Sequence, residues 1–437
     1  MHRRTLLALG AALLALTVPA MAVSTKFSNF LPLTASAAPL PVNGPGEATP
    51  VVLSSEAFSQ RTFADRATQN ALVPNSNSGN WDMIASNETG ANSGRYLFMP
   101  FETGLAGVQR VDTLDPHYNT RTVTIVAPGE QGFVSGDASR WTPWRGYLTA
   151  EESWGAGSVK GRLFEVTNPL TAGPNGGAFV QRLVIPRVAH EGLAFDAHNA
   201  LYFVDELNGG AVYRFVSANP DATSGDDYFA AGQTFVLRVG AGGQFEGNNG
   251  PAIAGPTAWI PITDAVGGPI PGVSTVLGDG TIDGRVSADH PTVLSTGFNR
   301  PEDMELQTLR DGTQLLYFNT TDADTNGNGS DGAGRTYTLN LAIDAEGNIY
   351  IVEDRNGGVD DDIWFAVDLN KDGDLLDAGE GLARWASNGT QGSEFTGLYF
   401  APHNPNRAYV NIQHPNSGVD RLIEISGAPQ FGKGAKR

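Results

Sequence analysis

The chain has 437 residues, 54 of them glycine and none cysteine, and its 47 acidic against 28 basic side chains leave a net charge of −19. Without cysteine there is no disulfide and no thiolate to act as nucleophile or metal ligand, and without a basic surface there is no footprint for nucleic acid. Beyond the N-terminus no apolar run approaches the roughly 20 residues of a membrane span, so the sequence predicts no such span, and its surplus of carboxylates favours cations as partners.

Residues 1–22, "MHRRTLLALGAALLALTVPAMA", have a basic start, a short apolar stretch and a small-x-small end at Ala20-Met21-Ala22. This reads as a cleavable secretory signal, and a periplasmic or secreted location follows. Arg3-Arg4 fits either a twin-arginine export signal or an ordinary one. Residues 23–55, rich in Pro, Ala, Ser and Thr, read as a linker or irregular lead-in, and 429–437 as a flexible tail. Between them, 56–428 holds short Val/Ile/Tyr/Phe-rich runs bounded by Gly, Asn, Asp and Pro, the pattern of many short strands.

An internal repeat selects the architecture. "LAFDAHNALYFVDELNGG" from Leu193 and "LAIDAEGNIYIVEDRNGG" from Leu341 align without a gap, and four looser copies begin near Arg95, Gly146, Leu315 and Ala408. The expectation is an all-β fold, a six-bladed β-propeller with a metal site at one end of the central channel. A pair of β-sandwiches would explain the strands but not the gapless repeat.

The copies follow one plan of strand, polar tip, Gly-rich turn and strand, and the recurring tips are Glu151-Glu152, Asp205-Glu206, Asp322, Glu353-Asp354 and Gln413-His414. Outside that register stand His190-Glu191, Arg300-Pro301-Glu302-Asp303 and Glu394. Converging carboxylates repel one another unless they are protonated or bound to a cation. An almost all-oxygen donor set points to hard cations, calcium first, then magnesium, manganese or ferric iron. Neighbouring strand residues face opposite sides, so Glu151 and Glu152 need not share a pocket. Asp322, Asp324 and Asn326 in "DADTNGNGSDG", and Asp368, Asn370 and Asp372 in "DLNKDGDLLDAGE", alternate oxygen side chains as an EF-hand loop does, and read either as structural calcium sites or as metal-free turns. No G-x-S-x-G elbow and no phosphate-binding P-loop is present.

"WTPWRGYLTAEE", "HEGLAFD", "FNRPED", "IYIVED" and "EFTGLYFAP…VNIQHP", in this order, resemble the PhoX-type alkaline phosphatases over nearly the whole of 95–415. The resemblance implies a six-bladed propeller, a cofactor of calcium and iron held by carboxylates at the channel mouth, and hydrolysis of small phosphomonoesters. It implies metal ligation by Glu152, Glu191, Glu302 and Glu394, and a phosphate-holding Arg300. Asp137 stands where the family carries a cysteine ligand, and Arg145 where it carries a glycine. Asp205, Glu353 and Asp354 complete the candidate ligands read from the repeat. A non-catalytic calcium-binding propeller, or a calcium-dependent lactonase-like hydrolase, are the other functions open at this point; a monomer is the default.

Overall fold

β-branched and aromatic residues pack well on a pleated surface, and here each such run pairs antiparallel with its neighbour in sequence. The computed structural model describes residues 5–6, 27–73, 78–155, 157–246, 253–308, 314–320, 339–343, 348–353, 361–367, 369 and 377–427. In it the chain is an all-β propeller with five blades. Blade 1 comprises Ala85–Ser86, Tyr96–Pro100, Val108–Asp112 and Thr122–Val126; blade 2 comprises Gly136–Trp141, Tyr147–Glu151, Leu163–Val166 and Phe179–Gln181. Blade 3 runs from His190–Phe195 to Gly255–Pro261, and blade 4 from Leu339–Ile343 to Gly381–Asn388. Blade 5 holds Glu394–Phe400, Arg407–Gln413 and Arg421–Ser426. Between blades 3 and 4 stands a two-stranded sheet of Pro301–Thr308 and Gln314–Thr320, whose first strand packs against the first strands of both. Thr5–Leu6 pair with Gly255–Pro256 at the outer edge of blade 3.

The sequence repeat is a repeat of register. Leu193 pairs with Phe203 and Ala194 with Tyr202; the aligned residues Leu341 and Ala342 pair with Ile351 and Tyr350. Large side chains fill the seams: Trp141 stacks on Phe98 between blades 1 and 2, Trp144 packs on Tyr228 of blade 3, and Trp385 lies among Tyr350 and Phe400 between blades 4 and 5. These tryptophans act in packing, and Pro143 sits in the hairpin turn after Trp141 rather than at a strand edge. The ring closes where blade 5 meets the chain before blade 1. Asn411 Nδ2 donates to the Asp82 carbonyl at 2.6 Å and Thr396 Oγ1 to the Trp81 carbonyl at 3.0 Å. Gly397 has φ of 58°, and a Cβ there would lie 2.5 Å from the Asp82 carbonyl, so only glycine fits this approach.

Ser59–Asp65 forms the outer strand of blade 5, pairing with Arg421–Ser426, so both ends of the chain share one sheet. Of the stretch 23–55, the described residues 27–55 are mostly irregular and dock on the propeller. Val51–Leu53 adds a strand to blade 4, Leu33 N–H donates to the Arg384 carbonyl at 3.0 Å, and Phe27 packs on Phe58, Trp385 and Phe400. The calcium-like loops, with Asp322, Asp324, Asn326, Asp368, Asn370 and Asp372, and also Asp354, lie outside the described residues.

Two stability measurements follow. Phe27→Ala should cost about 3 kcal/mol in urea unfolding, as for a buried core phenylalanine; an undocked lead-in would give no change. Arg145 holds φ of 71° in the turn after Trp144, where a side chain is strained. Arg145→Gly should therefore stabilise by up to about 1 kcal/mol, read as a higher melting temperature.

Candidate metal centre

Each inner hairpin sets the start of its first strand beside the end of its second: Trp81 faces Phe101, Gly136 faces Glu151, His190 faces Asp205, and Pro301 faces Thr320. In the last three the register then slips, so that three residues of the first strand span two of its partner, a β-bulge. In blade 1 four residues separate Trp81 from Ala85 while three separate their partners Phe101 and Phe98, again one residue in excess on the first strand. The residue that enters each bulge is an acid: Asp82, Asp137, Glu191 and Glu302. A bulge interrupts the alternation of a strand and re-aims a side chain. The acids that looked out of register in the sequence are thus in register with one another.

Asp82, Asp137 and Glu191 are buried and bring carboxylate oxygens within 4.8 Å of each other. Glu302, also buried, acts electrostatically on Glu191. A second tier comes from the residue after each facing strand end: Glu102, Glu152, Glu206 and His414. His414 Nε2 lies 3.2 Å from Glu102 and 3.4 Å from Glu394, and Gln413 Nε2 donates to Glu102 at 2.7 Å. Arg300 contacts Glu206 directly and stands 3.7 Å from Glu302. Arg300 and His414 both hold positive φ, 38° and 56°, a strained backbone of the kind that persists where surrounding structure imposes it.

Burial, then the facing carboxyls, pushes Asp137 and Glu191 well above the usual carboxylate range. Glu152 is raised as well, by burial first and then by Glu206, with which it shares a hydrogen bond. Among the described residues Asp137 Oδ1 is buried with no hydrogen-bond partner. His190, next to Glu191, is different: burial, then Arg187, lowers it to about 3, and its ring packs on Phe203. It is a neutral core histidine.

The first acid of each tip turns away from the channel. Arg162 holds Glu151 through Nε at 2.9 Å and Nη2 at 2.5 Å. Arg285 holds Asp205 at 2.7 Å, and the Ala189 N–H donates to it. Glu353 accepts from Trp364 Nε1 at 3.0 Å and from the Asp362 N–H. The expected ligands Asp205 and Glu353 are therefore corrected to structural roles, because each already has donors on its own side of the sheet. Asp137, Glu152, Glu191, Glu302, Glu394 and Arg300 do come together. Asp82, Glu102 and Glu206 join them without having been chosen as ligands from sequence; the dipeptides Trp81-Asp82, Gly136-Asp137, His190-Glu191 and Pro301-Glu302, each opening an inner strand, were the available signal.

The donors fit hard cations: they are oxygens, they are buried, and they are crowded enough to take up protons in a cation's absence. Asp137 supplies oxygen where a thiolate would favour softer metals.

No model of a known protein family matches the chain, and no curated protein matches it. Among solved structures, the PQQ-bound aldose sugar dehydrogenase of Streptomyces coelicolor aligns at 12% identity, covering 84% of this chain and 98% of that one, with a TM-score of 0.41. A Trichoderma reesei enzyme of carbohydrate-active family AA12 aligns at 11% identity over 89% and 99%, TM-score 0.41. A streptogramin B lyase aligns at 10% identity over 85% and 100%, TM-score 0.36.

Raised carboxyl pKa values mean that the folded metal-free chain binds more protons than the unfolded one. Its stability is complete below the unfolded value near 4 and is lost as pH rises toward the folded values. Melting scans of the chelator-treated protein should thus fall from acid to neutral pH, and calcium should restore most at the highest pH. Asp137→Asn should melt higher than the parent without metal and bind calcium at least about tenfold more weakly by calorimetry.

Proposed function

We propose that the chain is an exported metal-dependent phosphoesterase, built as a propeller of six blades, that hydrolyses small phosphomonoesters. One observation carries the reading: close-set carboxyls, of which Asp137, Glu191 and Glu152 are raised by burial and then by their acidic neighbours, beside the partly exposed Arg300. The sheet 301–320 is read as part of the sixth blade, because Glu302 occupies the same bulge as Asp82, Asp137 and Glu191.

Asp82, Asp137, Glu191 and Glu302 would hold the inner cations, and Glu102, Glu152, Glu206 and Glu394 would complete their coordination. Calcium suits this all-oxygen set, and iron would enter it through oxygen ligands alone, with Asp137 in place of the thiolate. Bound cations would polarise phosphoryl oxygens and lower the pKa of a water. The work of this chain's residues is positioning. Arg300, with its side chain 42% exposed, presents a planar guanidinium able to take two phosphate oxygens, and Glu206 and Glu302 fix its approach. His414, between Glu102 and Glu394, orients both acids and stands ready to hold or release a proton at Nε2.

The test is elemental analysis of the purified protein together with turnover of p-nitrophenyl phosphate, a phosphodiester and a lactone, with and without chelator. The expected result is bound calcium, with or without iron, and chelator-sensitive monoester hydrolysis. Arg300→Lys should lower kcat/KM about 100-fold, the loss of a two-point charged contact. Bound calcium with no turnover of any substrate would overturn the enzyme reading in favour of a calcium-stabilised binding propeller, and lactone turnover alone would overturn the substrate class.

A further inference from the structure

The first strands of the blades continue past the acid tiers. From one residue beyond the acids, at Met83 and Asp303, they wall a second cavity of about 330 Å³. The volume falls in the range of small-molecule pockets, about 300 Å³ and upward. Arg140 reaches from three residues beyond Asp137, Glu305 from three beyond Glu302, Tyr399 from five beyond Glu394, and Glu88 from six beyond Asp82.

The charges in this cavity do not balance. Arg140 is taken by Glu305 in a two-point ion pair of 2.9 and 2.8 Å, so its guanidinium has little to offer an anionic ligand. That pair holds Glu305 below the usual range despite burial. Glu88 and Asp303 also line the cavity within the field of Arg140, and His403 lines it beside Glu88, so three carboxyls face one arginine and one imidazole. Burial raises the Glu88 carboxyl, and the pull of Arg140 does not cancel it. The rest of the wall is largely apolar, with Ile84, Leu306, Leu398 and Phe400. The acids do not chelate: among the described residues the triad within metal-ligand reach is Asp82, Asp137 and Glu191, in the other site. Spread negative charge over a hydrocarbon wall suits neither an anion nor a bare metal ion.

We propose that this cavity binds a small organic amine, with its ammonium group against Glu88 and its hydrocarbon body on Leu306, Leu398 and Phe400. The Tyr399 hydroxyl lies 2.6 Å from Ser86 Oγ and also hydrogen-bonds to Glu88, fixing the carboxyl that the ammonium would meet. This site goes beyond the phosphoesterase reading and does not rest on it.

The test is calorimetric titration of the calcium-loaded full chain with 2-phenylethylamine, 2-phenylethanol and phenylacetate, which share a body and differ in charge. The amine should bind once per chain, at least tenfold tighter than the alcohol, and the acid should not bind. Glu88→Gln should weaken the amine about tenfold and leave the alcohol unchanged. Leu398→Trp, which fills the cavity, should remove both. Equal binding of amine and alcohol, amine binding indifferent to Glu88→Gln, or amine displaced by further calcium and so seated in the acid tiers, would each overturn the proposal.

Discussion

Mutual repulsion among the buried carboxyls that open successive inner strands is the constraint on which this molecule turns. Asp82, Asp137 and Glu191 come within 4.8 Å of one another because the same bulge recurs at the start of successive inner strands. A regular strand would carry its acids to alternate faces and keep them apart. The bulge gives up part of the ladder's hydrogen bonding and concentrates charge where solvent cannot screen it. The seams of stacked aromatic rings supply the packing that holds these strands in register against that repulsion.

Around the acids, the paired residues divide the work. At two tips the first carboxylate is held by an arginine, Glu151 by Arg162 and Asp205 by Arg285 of the short helix Gly284–Ala288, while its neighbour, Glu152 or Glu206, meets the other acids. The outward member anchors the strand end, and the inward member inherits a fixed position. Arg300 and His414, both with strained backbone, stand against the inward acids and carry the positive charge or hydrogen-bond donors that the described part of the site offers. The acid cluster and the cavity beside it therefore differ in kind: dense acid in one, and in the other a mixed wall in which an ion pair is already formed.

Much of this was legible in the sequence. The gapless match of Leu193–Gly210 with Leu341–Gly358 reported strand register as well as architecture, because a repeat that keeps every inward position must also keep every pairing. The opposite facing of Glu151 and Glu152 followed from strand geometry alone. What the sequence hid has two causes. The bulged acids share only a position, with Trp, Gly, His and Pro before them, so no motif joins Asp82 to Glu302. The roles of Asp205 and Glu353 depend on partners the tip does not contain: Arg285 lies 80 residues from Asp205, and Trp364 belongs to the next strand. A charged tip reads the same whether its counter-ion is a bound cation or a distant arginine.

The closure of blade 5 by Ser59–Asp65 carries a consequence for when this site exists. Arg61 meets Glu424 across 363 positions of chain, so the ring cannot close until the last blade has been synthesised. Until then Ser59–Asp65 is a strand without its partner, and Asp82 lacks Asn411, the donor that fixes its backbone carbonyl. Such long-range pairing is slow. The part of the acid cluster that includes Asp82 and His414 is thus complete only once blade 5 has closed the ring, and the cations around the chain at that moment are the ones it would meet. On the proposed reading, the identity of the metal is decided by where the polypeptide finishes folding as much as by the side chains that receive it.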